Sequence, residues 1–136
     1  GFEALEKLSA EAKKYIAPLP IDYEPDEEAA GMFGLMMMTS GKHTDPENVA
    51  KAQALKDATM GWFIAQNLKS KFVHLNGNYH SDFKKGIITY LNKYRPGLKI
   101  ATVCSVRQDD IKKLGEENEG RADFYICVPT DMTMTY

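Results

Sequence analysis

Apolar positions recur along this chain with one period and then with another, and the change divides it. Phe2, Leu5, Leu8, Ala12 and Ile16 return at helical spacing, which predicts an amphipathic helix over residues 2–16, closed by Pro18 and Pro20. Asp45-Pro46 opens a second helix. The aspartate can cap free backbone N–H groups, and proline fits the first turn, where its missing N–H costs nothing. This helix runs to about Lys69, and Ala54, Leu55, Ala58, Trp62, Ala65 and Leu68 form its apolar stripe. Between the two helices, residues 18–44 hold proline, glycine and acidic residues and then Met32-Phe33-Gly34-Leu35-Met36-Met37-Met38. So long a connection is expected to be functional, partly helical or packed on another segment.

From residue 71 onward the runs are short and alternate. Residues 71–76 read as a strand and 82–94 as a helix with Phe83, Ile87, Leu91 and Tyr94 on one face. Arg95-Pro96-Gly97 turns the chain. Residues 98–104 read as a strand, 108–115 as a short helix and 122–128 as a last strand. Strand, helix, strand, helix, strand is the order of right-handed crossovers between parallel strands. The fold class expected is therefore α/β: a small parallel sheet of about three strands in β-α-β-α-β order, preceded by two long helices. Parallel sheets are normally covered on both faces. The sheet is thus expected to be incomplete without strands from a segment outside this chain.

Composition narrows the field. In 136 residues, 43% hydrophobic and 26% charged is a globular balance, enough for one domain or a large piece of one. A formal charge of −2 with no basic cluster argues against a nucleic-acid surface. No run approaches the roughly 20 apolar residues that span a bilayer. The chain opens on Gly1, directly in helical pattern and without a signal peptide, so it is expected to be a processed or excised piece. Cys104 and Cys127 each end a predicted strand and read first as small core residues. A disulfide between them stays open, and neither has a companion at zinc-finger spacing.

Sites in open parallel sheets gather beyond the carboxyl ends of the strands. Three segments lie there: Gly77-Asn78-Tyr79-His80-Ser81-Asp82, Ser105-Val106-Arg107-Gln108 and Pro129-Thr130-Asp131. The first is the richest. Gly77 and Asn78 tolerate unusual backbone angles, and a sharp strand-to-helix turn there would carry His80 out over the sheet edge. Ser81 is placed to cap the following helix. His80 then serves as a ligand for a metal or haem iron, as a general base, or simply as a loop histidine bonded to its own turn; spacing alone leaves all three open. His74, mid-strand, reads as a packed structural histidine. On the long helix Gln53, Asp57 and Met60 share one face at spacings of four and three, and Asp57 has no Lys or Arg three or four residues away. It is either solvated or paired outside the helix. The methionines at 32–38 form a soft packing surface, suited to a flat apolar ligand or a partner chain. His43 is a candidate second ligand.

Ala52-Gln53-Ala54-Leu55-Lys56-Asp57-Ala58-Thr59-Met60, followed by a strand and Gly77-Asn78-Tyr79-His80, resembles the ChaN family, haem-binding and iron-regulated bacterial lipoproteins related to the Tiki/TraB and erythromycin-esterase groups. That family carries an Arg-Asp-x-x-Met-Ala motif and a later Gly-x-x-His. Here Lys56 stands in place of the arginine and Gly61 in place of the alanine, so a planar bidentate arginine contact is not implied at that position. The stretch Tyr90-Leu91-Asn92-Lys93-Tyr94-Arg95-Pro96 fits as well. The likeness is close over 45–131 and loose over 1–44. The family's earlier half, with its own Gly-Glu-x-His and a downstream glutamate, is not in this sequence. Residues 1–136 are thus expected to be the C-terminal part of one ChaN-like domain, with 1–44 a helix and Met-rich connection and 45–136 its α/β core.

The resemblance implies haem binding in bacterial iron acquisition, at the cell envelope, in a pocket on the carboxyl edge of the sheet. Its expected contacts are His80, Tyr79, Asn78, Gly77, Asp57, Met60, Gln53 and His43, with Tyr79 or His80 reaching iron or propionate and the Met segment with Phe33 as the apolar wall. Haem is the expected ligand, and a homodimer or association with the missing half the expected assembly. The alternative is a metal-dependent hydrolase of the Tiki or erythromycin-esterase type, incomplete here, with a metal ion held by His80 and with Asp57 and His43 as candidate further ligands. A third reading is a structural remnant with no ligand.

Overall fold

Ser9 divides what the sequence predicts as one helix. It sits in extended backbone, and its Oγ accepts from the N–H of Ala12 at 3.1 Å, so the chain restarts as a new helix there. In the computed structural model, which describes residues 1–25 and 45–133, the result is two short helices: α1, Glu3–Glu6, and α2, Ala10–Lys13. Neither buries a residue, so the single long helix expected at 2–16 is corrected to a pair of turns. The Met32–Met38 segment and His43 lie outside the described residues.

The chain forms two compact units, Gly1–Leu68 and Lys69–Tyr136. In the first, α3 spans Pro46–Asn67, close to the predicted limits. Asp45 caps it as expected, accepting from the Glu47 N–H at 3.0 Å. Its buried line is Ala50, Asp57, Ala58, Gly61, Ile64 and Ala65. Of the predicted stripe, Ala58 and Ala65 are buried, while Ala54, Leu55, Trp62 and Leu68 are half-buried. The core-facing line is therefore turned toward small residues, which let chain pack close to the helix. Ala17, also buried, donates its backbone N–H to Thr59 Oγ1 on α3 at 3.2 Å. At the head of the unit Phe2 and Tyr23 meet edge to face at 5.5 Å.

The second unit holds the sheet. β1 (Val103–Arg107) and β2 (Phe124–Val128) run parallel, with Val103 opposite Phe124 and Arg107 opposite Val128. The parallel direction agrees with the sequence pattern. The strand count does not: among the described residues the sheet has two strands, and 71–76 carries no ladder. Phe72, Val73 and Leu75 are 51%, 83% and 89% exposed. His74 is likewise exposed rather than packed. An alternating apolar run becomes a strand only where a neighbour takes its backbone groups, and none of the described residues does so here.

Asp123 sets where the ladder begins, and this moves the middle strand from the predicted 98–104 to 103–107. Its Oδ2 accepts from the Thr102 N–H at 2.8 Å and the Thr102 hydroxyl at 3.0 Å, and its own N–H donates back to Thr102 Oγ1 at 3.1 Å. The first ladder bond, Phe124 N–H to Thr102 O at 3.0 Å, follows directly. Lys84 Nζ approaches Asp123 Oδ1 at 2.6 Å. The lysine first and the two Thr102 donors next hold the Asp123 carboxyl down to about 2, against an ordinary value of 3.8. A carboxylate depressed in the folded state stabilises fully above its unfolded value and loses that contribution as pH falls through the folded one. Unfolding free energy is therefore expected to drop between pH 3.8 and about 2. Asp123→Asn should flatten that part of the acid limb, measured by denaturant titration at stepped pH. An unchanged slope would count against the contribution.

No α-helix forms at the predicted 108–115. The buried Gln108 amide satisfies that turn instead: Oε1 accepts from the Gly115 N–H at 3.1 Å, and Nε2 donates to Lys113 O at 2.6 Å and to Asp110 O. The predicted helix 82–94 starts late as α4, Ile87–Tyr94, with Ile87, Tyr90 and Leu91 buried. These three, with Cys104 and Val106 from β1, are the buried apolar residues among those described in the unit. Both cysteines are free thiols, and the register sets Cys104 beside Tyr125 and Cys127 beside Val106 rather than opposite each other. Burial, above all, pushes the Cys104 thiol up.

Candidate functional site

The Gly77–Asp82 segment is a turn built from its own amides. His80 N–H donates to Gly77 O at 3.0 Å and Ser81 N–H to Asn78 O at 2.9 Å, which makes Asn78–His80 a single 3₁₀ turn. Asn76 braces it from the front: its Nδ2 donates to Gly77 O at 2.8 Å and to Ser81 Oγ at 3.0 Å. Asn78 ties it to the sheet, Nδ2 donating to the Ser105 carbonyl on β1 at 2.8 Å. Tyr79 and His80 are thereby presented side by side, their rings edge to face at 5.5 Å. Tyr79 is 38% exposed and His80 is half-buried.

Two sequence expectations about this turn are corrected. Gly77 has ordinary extended angles, φ −66° and ψ 141°, so its role is not conformational freedom. A Cβ placed on it would meet nothing within 4 Å. The left-handed residues come later: Phe83 at φ 56° and Lys84 at φ 57°. A bulky residue there is an outlier that costs about 1–3 kcal/mol and persists only where its surroundings fix it. Ser81 makes no cap bond and α4 takes Gly86 as its cap, so the capping role read for Ser81 is not found.

Behind the turn sits a polar cluster for which single-sequence reasoning offers no signal, because its members are up to 39 residues apart. Asp82 Oδ2 accepts from Arg121 Nη2 at 2.6 Å and Nε at 3.2 Å. The Cys104 thiol lies 3.6 Å from Asp82 Oδ1. Arg121 Nη1 donates to Asn118 Oδ1 at 2.7 Å. The Asp82 carboxylate, as the leading cause, raises the Arg121 guanidinium further above its ordinary value.

The other candidates belong to the first unit. Gln53, Asp57 and Met60 do follow one another along α3, but their surroundings differ. Asp57 is 4% exposed, which rules out the solvated reading, while Gln53 and Met60 are half-buried. Gln53 Oε1 accepts from Lys56 Nζ at 3.3 Å. Among the described residues no three His, Cys, Asp or Glu side chains gather as a metal-binding group.

The donor set suits haem. Phenolate and imidazole are both axial ligands of ferric iron, and here the two stand on adjacent residues of one braced turn with partly accessible rings. No curated protein and no solved structure matches the chain. The model of one family does, over residues 1–91, described as haem-binding uptake, Tiki superfamily, ChaN. The matched span differs from the likeness read in the sequence: it takes in the N-terminal segment and stops within α4. It covers 91 of the 136 residues and includes both α3 and the Gly77–His80 turn, so the chain belongs to the ChaN haem-binding uptake family of the Tiki superfamily.

Proposed function

We propose that this chain binds haem as cargo at the Tyr79–His80 turn, in the service of bacterial iron acquisition. The observation that carries the reading is the family match, which runs through that turn, joined to the two iron-ligand side chains the turn presents. Tyr79 Oη or a ring nitrogen of His80 would meet the iron or a propionate. Gly77 leaves open space beside the turn for a flat ligand edge. Gln53, Asp57, Met60 and His43 remain in the proposed set from the sequence motif alone. Attachment to the cell envelope as a lipoprotein and a pocket completed by a second copy or by an N-terminal half belong to the same proposal. Haem, when bound, would supply an iron centre that accepts nitrogen or oxygen donors. The residues supply orientation and shelter from water.

The test is an optical titration of the purified chain with ferric haem. The expected result is a saturable Soret shift with a defined end point. A spectrum that stays that of free haem at every ratio would overturn the proposal.

A further inference from the structure

We infer that Asp82 and Arg121, together with Ser105 through its backbone, are positioning residues for the Tyr79–His80 pair, so that the part of the chain beyond residue 91 sets the geometry of a turn that lies within the family-matched span. The inference rests on the haem reading above, and its test separates the two. A 3₁₀ turn of three residues has poor hydrogen-bond geometry and little stability of its own, so something must hold it. The structure holds it at both ends.

The front tie uses the free edge of β1. Phe124 N–H bonds Thr102 O, and Gln108 N–H bonds Val128 O, each at 3.0 Å. Even-numbered residues of β1 therefore turn their backbone groups toward β2, and Val103, Ser105 and Arg107 turn theirs away. Asn78 Nδ2 takes the Ser105 carbonyl on that outer edge, where a strand neighbour would otherwise bond. The rear tie is double. Arg121 grips the Asp82 carboxylate with two nitrogens, and its backbone carbonyl accepts the Phe83 N–H at 2.8 Å. That second bond fixes Phe83, the left-handed residue inside the next 3₁₀ turn, Asp82–Lys84. Arg121 spends Nε and Nη2 on Asp82 and Nη1 on Asn118, and both Asp82 oxygens face protein partners. These groups act through the turn and do not need to touch the ligand. They stand as outer partners stand to metal ligands, whose loss costs about tenfold to a hundredfold in affinity.

The experiment compares the full chain with Arg121→Gln, Asp82→Asn and the charge-swapped pair Asp82→Arg with Arg121→Asp. It follows ferric haem affinity, the Soret and electron-spin signature of the bound form, and hydrogen exchange at the His80 and Ser81 amides without haem. Each single change is expected to lower affinity about tenfold or more, alter the iron signature and speed exchange at those two amides, and the swapped pair is expected to recover part of each. Circular dichroism confirms folding. Should Arg121→Gln not fold, Asp82→Asn carries the test. If wild type binds haem and a folded single variant binds it equally with the same signature, the inference falls and the haem reading stands. If wild type takes no haem, the haem reading falls, and unchanged amide exchange in the folded variants overturns the clamp as well.

Discussion

Replacing His80 with alanine is expected to weaken ferric haem binding tenfold or more, about 1.4 kcal/mol, while shifting unfolding free energy by less than about 0.5 kcal/mol. His80 contributes to the turn through its backbone, and that part is kept in alanine. Its N–H bond to Gly77 O survives in alanine, and the Asn76 and Asn78 braces do not involve its ring. Tyr79→Phe provides the comparison, removing the phenol oxygen and keeping the ring that stacks edge to face on His80. Loss on His80→Ala alone assigns the iron to imidazole; loss on Tyr79→Phe alone assigns it to phenolate. Optical titration and denaturant melts of both variants give the answer. Unchanged affinity with a large loss of stability would make His80 a structural histidine.

The largest stability effect is expected at Ile87. It opens α4, is 2% exposed, and belongs with Tyr90 and Leu91 to the apolar centre of the second unit. Ile87→Ala removes buried methyl and methylene groups and leaves a cavity that the backbone only partly closes, a change worth about 2–5 kcal/mol. Leu75→Ala, at 89% exposed, is expected to alter stability by no more than about 0.5 kcal/mol. Urea unfolding of the two variants side by side checks the contrast. Equal losses would mean that the extended 71–76 segment is packed in solution.

The elements legible in the sequence were those fixed by local chemistry. Asp45-Pro46 carries its own capping bond and its own backbone angle, and α3 starts there as expected. Phe124–Val128 is a run of β-favouring residues and forms a strand within the predicted limits. The departures come from side chains that reach other parts of the chain. Ser9 substitutes for a continuing helical turn, Gln108 for the backbone bonds of a helix, and Asp123 chooses the first rung of the ladder from 21 residues away. The site followed the same division. The Gly77–His80 motif was readable because its residues are adjacent, whereas the Arg121 clamp was not, because it brings together groups 39 positions apart. Asp57 shows a third case: that no Lys or Arg stands three or four residues away was visible, but the choice between solvent and burial depends on what packs against α3.

The central claim is that haem meets this chain at the Tyr79–His80 turn. Amide spectra of the isotopically labelled chain, titrated with a diamagnetic haem analogue such as gallium protoporphyrin, locate the contact without relying on any substitution. The account predicts saturable shifts concentrated at Gly77–Asp82 and carried to Ser105 through the Asn78 bond. Saturable binding that leaves every amide from Gly77 to Asp82 unmoved would contradict it.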